Sequence, residues 1–275
     1  MTAVCGKSRL LCSGSLLRIA LCLVSCLCAP LLAQGAGGRV TEDELAPLKK
    51  RDDPLVFAVY VPTGYDGKKE APLILALHGG RGTARQFAGF LRPLAEGQGA
   101  ILACPQGFEE VVGADGYWWK GNRAEMAALD RLVAHVRQRY KIDAKRISLV
   151  GLADGAELGL RWALSGKDRG IYGFVALNFL KVKGSLRPPK KPLKVCLIAC
   201  RDAKEKRRSL KEHAEKTRDA LVRAKAPVVL RVVPSSSRSF FHGWEKEFRK
   251  AYQWFEGKLD WPKELADAQR PPEKG

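Results

Sequence analysis

The chain has 275 residues, of which 46% are apolar and 28% are charged. This balance excludes an intrinsically disordered chain, and the length suits one large α/β domain without requiring a second. The formal net charge of +19 predicts anionic surroundings and is compatible with nucleic acid, anionic polysaccharide or lipid headgroups.

Residues 1–36 have the pattern of an export signal peptide. Basic residues precede an apolar stretch at 19–33, and small residues follow it. The stretch is shorter than the ~20 residues that a membrane-spanning helix needs. We therefore expect cleavage near 33–36 and a secreted or periplasmic protein. The tetrapeptide LVSC leaves an alternative open, in which Cys26 becomes the lipidated N-terminus of a lipoprotein.

Five of the eight cysteines lie in this signal segment, so three remain after cleavage: Cys104, Cys196 and Cys200. Their spacing matches no metal-site pattern. Cys196 and Cys200 are four positions apart in one predicted strand, which is too far for a disulfide. We predict that these cysteines are small buried hydrophobic residues, and we expect neither a metal nor a cofactor.

After a polar linker at 37–53, strands and helices alternate along the chain. Continuous apolar runs indicate strands buried on both faces, and apolar residues at every third or fourth position indicate amphipathic helices. The predicted strands are 55–62, 71–80, 100–107, 146–152, 172–179, 193–200 and 227–234. The predicted helices are 85–99, stopped by Gly97 and Gly99, then 125–140, 156–166, 209–225 and 244–259.

This alternation requires crossover connections between strands. It predicts an α/β fold with a mostly parallel central sheet and helices on both faces. No internal repeat is present. We therefore predict a single domain at 54–260, followed by a polar C-terminal tail at 261–275.

The stretch RISLVGLADGAELGL at 146–160 combines a buried strand, a glycine turn and the start of a helix. A nucleophile elbow has this form and needs small residues two positions before and after its apex, because the strand and helix approach closely there. Gly151 and Gly155 fit an apex at Ala153. An apex one residue later would put a leucine at a small position. A generic strand-to-helix turn is the alternative.

Two further stretches have the positions expected around such a turn. LHGG ends the first central strand, where Gly79 and Gly80 can turn a backbone N–H toward a developing oxyanion. Asp202 directly follows the penultimate strand, and His242 lies between the last strand and the last helix. The order of elbow, acid and histidine is the one that α/β-hydrolases use. A turn-capping aspartate and an ordinary loop histidine remain the alternatives for Asp202 and His242.

Together with FAVYVPTGYDGKKEAPLILALHGG, PQG, IACRD and HGW, these features resemble the α/β-hydrolase superfamily over roughly residues 55 to 257. The nearest branch is similar to exported carboxylesterases of the polyhydroxybutyrate depolymerase and phospholipase/carboxylesterase type. By resemblance, Asp202 is the triad acid and His242 the triad base. The oxyanion hole is the backbone N–H of Asp154 with one from Gly79 or Gly80.

The resemblance implies a serine at the apex, where this chain has Ala153. A methyl group has no lone pair, so this residue cannot form an acyl-enzyme. Asp202 and His242 could still activate a water, which is worth about 10² to 10⁴ in rate. We therefore expect a catalytically impaired or non-catalytic relative that binds an ester-, acid- or glycan-like ligand, or alternatively a slow ester hydrolase. A displaced nucleophile is the remaining alternative, and the candidates are Ser148, Asp154, Cys200 and Ser235 to Ser237.

The stretch 181–226 holds sixteen Lys or Arg residues against five Asp or Glu residues. It predicts a solvated helix face, or alternatively a contact with an anionic polymer or membrane; nucleic acid is disfavoured because no recognised binding motif is present. The pair Trp118–Trp119 in a glycine-rich loop predicts a substrate rim or a packed one. His135 and His213 lie on predicted helices and are expected at the surface.

Overall fold

The computed structural model describes residues 38–47, 54–113, 115–178, 188–201, 210–234 and 244–268. The strands are β1 (Val40–Leu45), β2 (Leu55–Tyr60), β3 (Ala71–Leu77), β4 (Ile101–Pro105), β5 (Glu109–Glu110), β6 (Tyr117–Trp118), β7 (Ile142–Leu152), β8 (Ile171–Leu177), β9 (Lys194–Arg201) and β10 (Val228–Pro234). The helices are α1 (Ala84–Gln98), α2 (Arg123–Arg139), α3 (Asp154–Ala163), α4 (Leu210–Arg223), α5 (Trp244–Phe255) and α6 (Trp261–Ala268).

Eight strands form one sheet in the order β1-β2-β4-β3-β7-β8-β9-β10. All pairs from β4 to β10 in this order are parallel, and only β2 pairs antiparallel, with β1 and with β4. The mostly parallel sheet predicted from the alternation of strands and helices is therefore confirmed. A short antiparallel hairpin, β5–β6, stands apart from this sheet.

The period-two alternation of side chains in β3 divides the core into two layers. Leu73, Leu75 and Leu77 pack into the cluster that also contains α2, α3 and Leu221 of α4. Ile74 and Ala76 pack into the opposite cluster with α1, α5 and α6. Helices therefore cover both faces of the sheet, which explains why the central strands consist of continuous apolar runs.

The structure corrects two boundaries. Strand β1 lies inside the predicted linker 37–53, and it is polar because it is an edge strand, with Glu42 paired to Arg85 at 3.2 Å. Helix α1 ends where predicted, with Gln98 as its last residue and Gly99, whose φ is 58°, as its cap; Gly97 lies inside the helix and does not stop it.

Helix α6 lies in the predicted polar tail 261–275. Asp260 accepts a hydrogen bond from the Lys263 backbone N–H at 3.4 Å, and the Trp261 side chain is fully buried. Leu265 also packs against the core, so this short helix is docked by two apolar side chains and begins next to an aspartate that bonds its first turn.

Helix α4 is the main described part of the basic stretch 181–226. It carries four basic and three acidic side chains, with Lys211 and Glu215 paired at 3.7 Å one turn apart. Ala214, Thr217 and Leu221 form its buried face. The helix therefore has the solvated, charge-paired face that was one of the two interpretations, and it carries little of the net positive charge.

Cys104 and Cys196 are free and fully buried, as predicted, and burial raises the pKa of both thiols. His135 and His213 are only half-buried rather than surface residues, because each helix packs one edge of its imidazole against the domain. No helix among the described residues is long and apolar enough to cross a membrane. The predicted signal peptide and Cys26 lie outside the described residues.

Candidate functional site

The loops that follow β3 and β7 leave the sheet side by side. The two strands are parallel neighbours, and Leu77, the last residue of β3, is paired in register with Gly151, the residue before the last one of β7. From β3 the chain goes to its neighbour β4 on one side, and it later returns to form β7 on the other side of β3. In open α/β sheets, ligands bind at the carboxyl edge where the strand order reverses in this way.

The turn between β7 and α3 has the backbone of a nucleophile elbow. Ala153 has φ 50° and ψ −113°, a conformation that costs an L-residue roughly 1–3 kcal/mol. Its N–H donates to the Leu177 carbonyl of β8 at 2.9 Å, and its carbonyl accepts from the Glu157 N–H at 3.1 Å. The neighbouring strand and the first helical turn thus hold the apex in its strained shape.

The two glycines that flank the apex have no room for a side chain. A Cβ on Gly151 would lie 2.6 Å from the Ala156 Cα, and a Cβ on Gly155 would lie 2.3 Å from the His78 carbonyl oxygen. Real Cβ atoms do not approach backbone so closely. The turn predicted from the glycine spacing is therefore present, with Ala153 at its apex; the roles of the residues around it stay predictions.

Asp154, the first residue of α3, turns its carboxylate toward the loop that carries Trp118 and Trp119, which we call the aromatic loop. Its Oδ2 accepts the backbone N–H of Trp119 at 3.0 Å. Its Oδ1 is buried and has no hydrogen-bond partner. Ala153 offers no side-chain cap to α3, so the backbone N–H groups of the first turn are left for other acceptors.

His78 is buried and organises the loop after β3. Its Nδ1 lies 2.9 Å from the Gly79 carbonyl oxygen, and its Nε2 lies 2.9 Å from the Gly107 N–H. Because the N–H of Gly107 can only donate, Nε2 is the acceptor and Nδ1 carries the proton. His78 therefore shapes this loop as a neutral imidazole.

Burial lowers the pKa of His78, and the Gly79 carbonyl and the Asp154 charge act against that shift. A lowered folded-state pKa gives stability that is present above the unfolded value, about 6.5, and is lost as pH falls below it.

Glutamine in place of His78 can keep the bond from the Gly107 N–H but not the bond to the Gly79 carbonyl. We expect His78→Gln to cost roughly 1–3 kcal/mol at pH 7.5.

The pH dependence of this cost follows from the sign of the shift. The gap in unfolding free energy between wild type and His78→Gln should narrow from pH 7.5 to pH 5, as urea denaturation at several pH values would show. A gap that stays constant over this range would contradict a buried neutral His78.

The β5–β6 hairpin is attached to the same loop. The Arg81 N–H donates to the Tyr117 carbonyl at 2.9 Å, and the Tyr117 N–H donates to the Gly82 carbonyl at 3.0 Å. Trp118 is 44% exposed, whereas Trp119 is 4% exposed and donates its indole N–H to the His78 carbonyl at 2.9 Å. Of the two alternatives left open for this pair, Trp119 takes the packed one, with its polar atom bonded inside the protein, whereas Trp118 is exposed and stays a candidate for a substrate rim.

A buried carboxylate holds the end of the aromatic loop. Glu125 is fully buried, and its two oxygens accept the backbone N–H groups of Lys120 and Asn122, each at 2.9 Å. Burial raises the pKa of this carboxyl, and the backbone N–H groups act against the rise. The sequence analysis does not predict a role for Glu125. The motif NRAE at 122–125 has the pattern of a capping box, and this pattern could have indicated that Glu125 bonds the backbone there.

Solved structures of similar fold include esterases and other hydrolases. An S-formylglutathione hydrolase from Agrobacterium tumefaciens is 14% identical, with a TM-score of 0.60 over 82% of this chain and 97% of that chain. A carboxylesterase from Bacillus cereus is 19% identical, with a TM-score of 0.55 over 74% and 95% of the two chains. A poly(3-hydroxybutyrate) depolymerase from Bordetella parapertussis is 17% identical, with a TM-score of 0.54 over 85% and 94%.

The chain has the α/β-hydrolase fold. This confirms the resemblance at the level of architecture. No protein-family model and no curated protein matches the chain. At these low identities the α/β-hydrolase neighbours establish the fold, and the chemistry has to be argued from the site.

The two predicted triad partners of the α/β-hydrolase fold, Asp202 and His242, lie outside the described residues. The described ends next to them are Arg201, the last residue of β9, and Trp244, the first residue of α5. Strands β8, β9 and β10 run parallel to β7, so they end at the same edge of the sheet as the elbow. The roles of Asp202 and His242 stay predictions.

The structure limits the choice of a displaced nucleophile. The Ser148 hydroxyl is buried in β7 and lies 2.9 Å from the Tyr252 hydroxyl, inside the core. The Asp154 carboxylate has one oxygen bound to Trp119 and the other buried. Neither group is free to attack a substrate. The side chains of Cys200 and of Ser235 to Ser237 lie outside the described residues.

Proposed function

We propose that this protein is an exported, esterase-like relative of the α/β-hydrolases that binds a ligand at the elbow without forming an acyl-enzyme. The observation that supports this most directly is the backbone of Ala153, held at φ 50° and ψ −113° with no nucleophile at the apex. The proposed ligand is an ester, a carboxylic acid or a glycan-like molecule. Its oxygen accepts from the backbone N–H of Asp154 and of Gly79 or Gly80.

Retention of the strained turn supports a binding role. Strained residues persist only where their surroundings over-determine them, and they cluster at active sites and ligand clamps. At this elbow the conformation aims the first N–H groups of α3 at the carboxyl edge of the sheet, where a ligand oxygen can meet them. Binding through backbone donors needs the turn but does not need a hydroxyl, and this is the combination that the chain has.

The lack of a hydroxyl at position 153 weighs against efficient hydrolysis. Removing the nucleophile of a serine protease costs about 10⁶ in kcat, whereas a water activated by a histidine recovers about 10² to 10⁴. A slow hydrolase that uses Asp202 and His242 in this way is the second candidate. It is favoured by the esterase-type structural neighbours and by the chain order of the two residues.

Two measurements on the purified protein test these candidates. A fluorophosphonate probe, which reacts with activated serine residues, should leave the wild type unlabelled in both cases, and labelling would reveal a displaced serine nucleophile. The hydrolysis rate of a short-chain aryl ester should be the same in wild type and in His242→Ala. A wild-type rate well above buffer that disappears in His242→Ala would instead establish the slow hydrolase.

The export and partner parts of the proposal rest on the sequence. Residues 1–36 support secretion or a periplasmic location. The net charge of +19 supports an anionic polymer or membrane surface as the partner, and the part of 181–226 outside α4 carries most of the local positive charge.

A further inference from the structure

Trp119 touches both sources of the proposed oxyanion donors. Its backbone N–H donates to Asp154 Oδ2 at 3.0 Å, on the side of the elbow. Its indole N–H donates to the His78 carbonyl oxygen at 2.9 Å, on the side of the loop after β3. The indole also packs against the His78 ring, with 5.1 Å between the ring centroids. One buried residue, through its backbone N–H on one side and its indole on the other, thus connects two loops that follow different strands.

The bond to the His78 carbonyl determines where the Gly79 N–H points. A peptide unit is planar and trans, so its C=O and N–H point in opposite directions. The indole N–H of Trp119 fixes the carbonyl of the 78–79 peptide, and it therefore fixes the direction of the Gly79 N–H.

The next peptide is fixed in the same way. The Gly79 carbonyl oxygen accepts from His78 Nδ1 and from the Gly82 N–H, each at 2.9 Å. The 79–80 peptide therefore cannot rotate without losing two hydrogen bonds, and the Gly80 N–H keeps its direction. His78 in turn is held through Nε2 by the Gly107 N–H at 2.9 Å.

We propose that Trp119 is a positioning residue for the oxyanion donors of this site, and that it acts by locking the 78–79 peptide and joining it to Asp154. The proposal rests on the binding site proposed above. Without the indole N–H, the His78 carbonyl would be buried without this partner, and a buried carbonyl that loses its donor favours a rotated peptide. Glycine at position 79 permits such a rotation, which would turn the Gly79 N–H away from the ligand.

The test uses Trp119→Phe with Trp162→Phe as a matched control. Trp162 is also buried and also donates its indole N–H, but to Asp130 Oδ1 in α2 at 3.0 Å and not to a loop of the site. Both substitutions keep an aromatic ring and remove one indole donor. They are made in an Ala153→Ser background, and the rate constant for labelling by a fluorophosphonate is measured well below the melting temperature of each variant.

We expect Trp119→Phe to lower the labelling rate at least tenfold, because loss of a single oxyanion donor costs about 10² to 10³ in rate. Trp162→Phe should stay within about twofold of its parent, since its lost bond lies outside the site. Equal effects of the two substitutions would overturn the proposal. If Trp119→Phe does not fold, Asp154→Ala tests the same connection from the elbow side and should also lower the rate at least tenfold; a smaller loss would overturn the proposal.

A second measurement separates this proposal from the proposed function. In the otherwise wild-type protein, the amide resonances of Gly79 and Gly80 should shift and exchange faster in Trp119→Phe than in Trp162→Phe. If Ala153→Ser is not labelled at all, the turn lacks the acid and histidine partners of an elbow, and the amide measurement alone decides the positioning role. Unchanged amides in Trp119→Phe would then overturn it.

Discussion

Replacing Ala153 with serine should make the protein react with a fluorophosphonate probe. The backbone already holds position 153 in the elbow conformation, so the introduced hydroxyl would lie at the apex without rearrangement of the turn. In the reaction the hydroxyl oxygen bonds to phosphorus, fluoride leaves, and the hydroxyl proton passes to the imidazole predicted at His242. We expect the labelling rate to be at least ~10³-fold higher than in the wild type. This is less than the factor of about 10⁶ in kcat that a serine nucleophile contributes in a serine protease.

Three comparisons make this result specific. Ala163→Ser adds a hydroxyl at the far end of the same helix and should leave the protein unlabelled. Ala153→Gly relieves the positive φ without adding a nucleophile, so it should also stay unlabelled while gaining about 1 kcal/mol in unfolding free energy. Adding His242→Ala to Ala153→Ser should remove most of the labelling. If Ala153→Ser folds but is not labelled, the turn has the backbone of an elbow but lacks the acid and the histidine that activate its nucleophile.

Gly155→Ala should produce the largest loss of stability among single methyl additions near the site. Its new Cβ would lie 2.3 Å from the His78 carbonyl oxygen and 2.5 Å from the Leu77 carbonyl oxygen, both of them backbone atoms that cannot move aside cheaply. We expect a loss of about 3 kcal/mol or more, because relief requires α3 to move away from β3. Urea denaturation followed by circular dichroism measures this loss.

The matched control for this loss is Gly89→Ala in α1. Gly89 is exposed in the interior of a helix, and a Cβ added there would have no contacting atom within 4 Å, so alanine should stabilise the protein by roughly 0.5–1 kcal/mol. Equal and small effects of the two substitutions would show that the strand and helix do not approach closely at the elbow.

The buried parts of the fold could be predicted because burial imposes a pattern. Strands between two helical layers have to be apolar throughout, and β3 and β7 are; the close approach at the elbow requires glycine, and Gly151 and Gly155 stand where that requirement predicts. Strand β1 could not be predicted, because a charged edge strand has the composition of a linker. Helix α6 could not be predicted for a similar reason, since Trp261 and Leu265 dock it within an otherwise largely polar segment.

For the candidate site, the sequence predicts where the residues lie along the chain but not which of them meet in space. Local spacing indicates a turn, and chain order indicates an acid and a histidine, but neither shows which side chains meet in space. Trp118 and Trp119 looked equivalent as neighbours in a glycine-rich loop, whereas one is exposed and the other is bonded to two different loops. Such a difference depends on long-range hydrogen bonds, which leave no periodic signal in a sequence.

The double attachment of Trp119 limits how this protein can be engineered. Loops around a catalytic edge are usually treated as interchangeable modules, so that a new specificity is grafted by exchanging one of them. In this chain the segment from Gly107 to Asn122 also supplies the donors that orient the Gly79 peptide and the His78 ring. A grafted loop would therefore change substrate selection and the geometry of the anion-binding amides together, unless it brought its own buried indole to the same place.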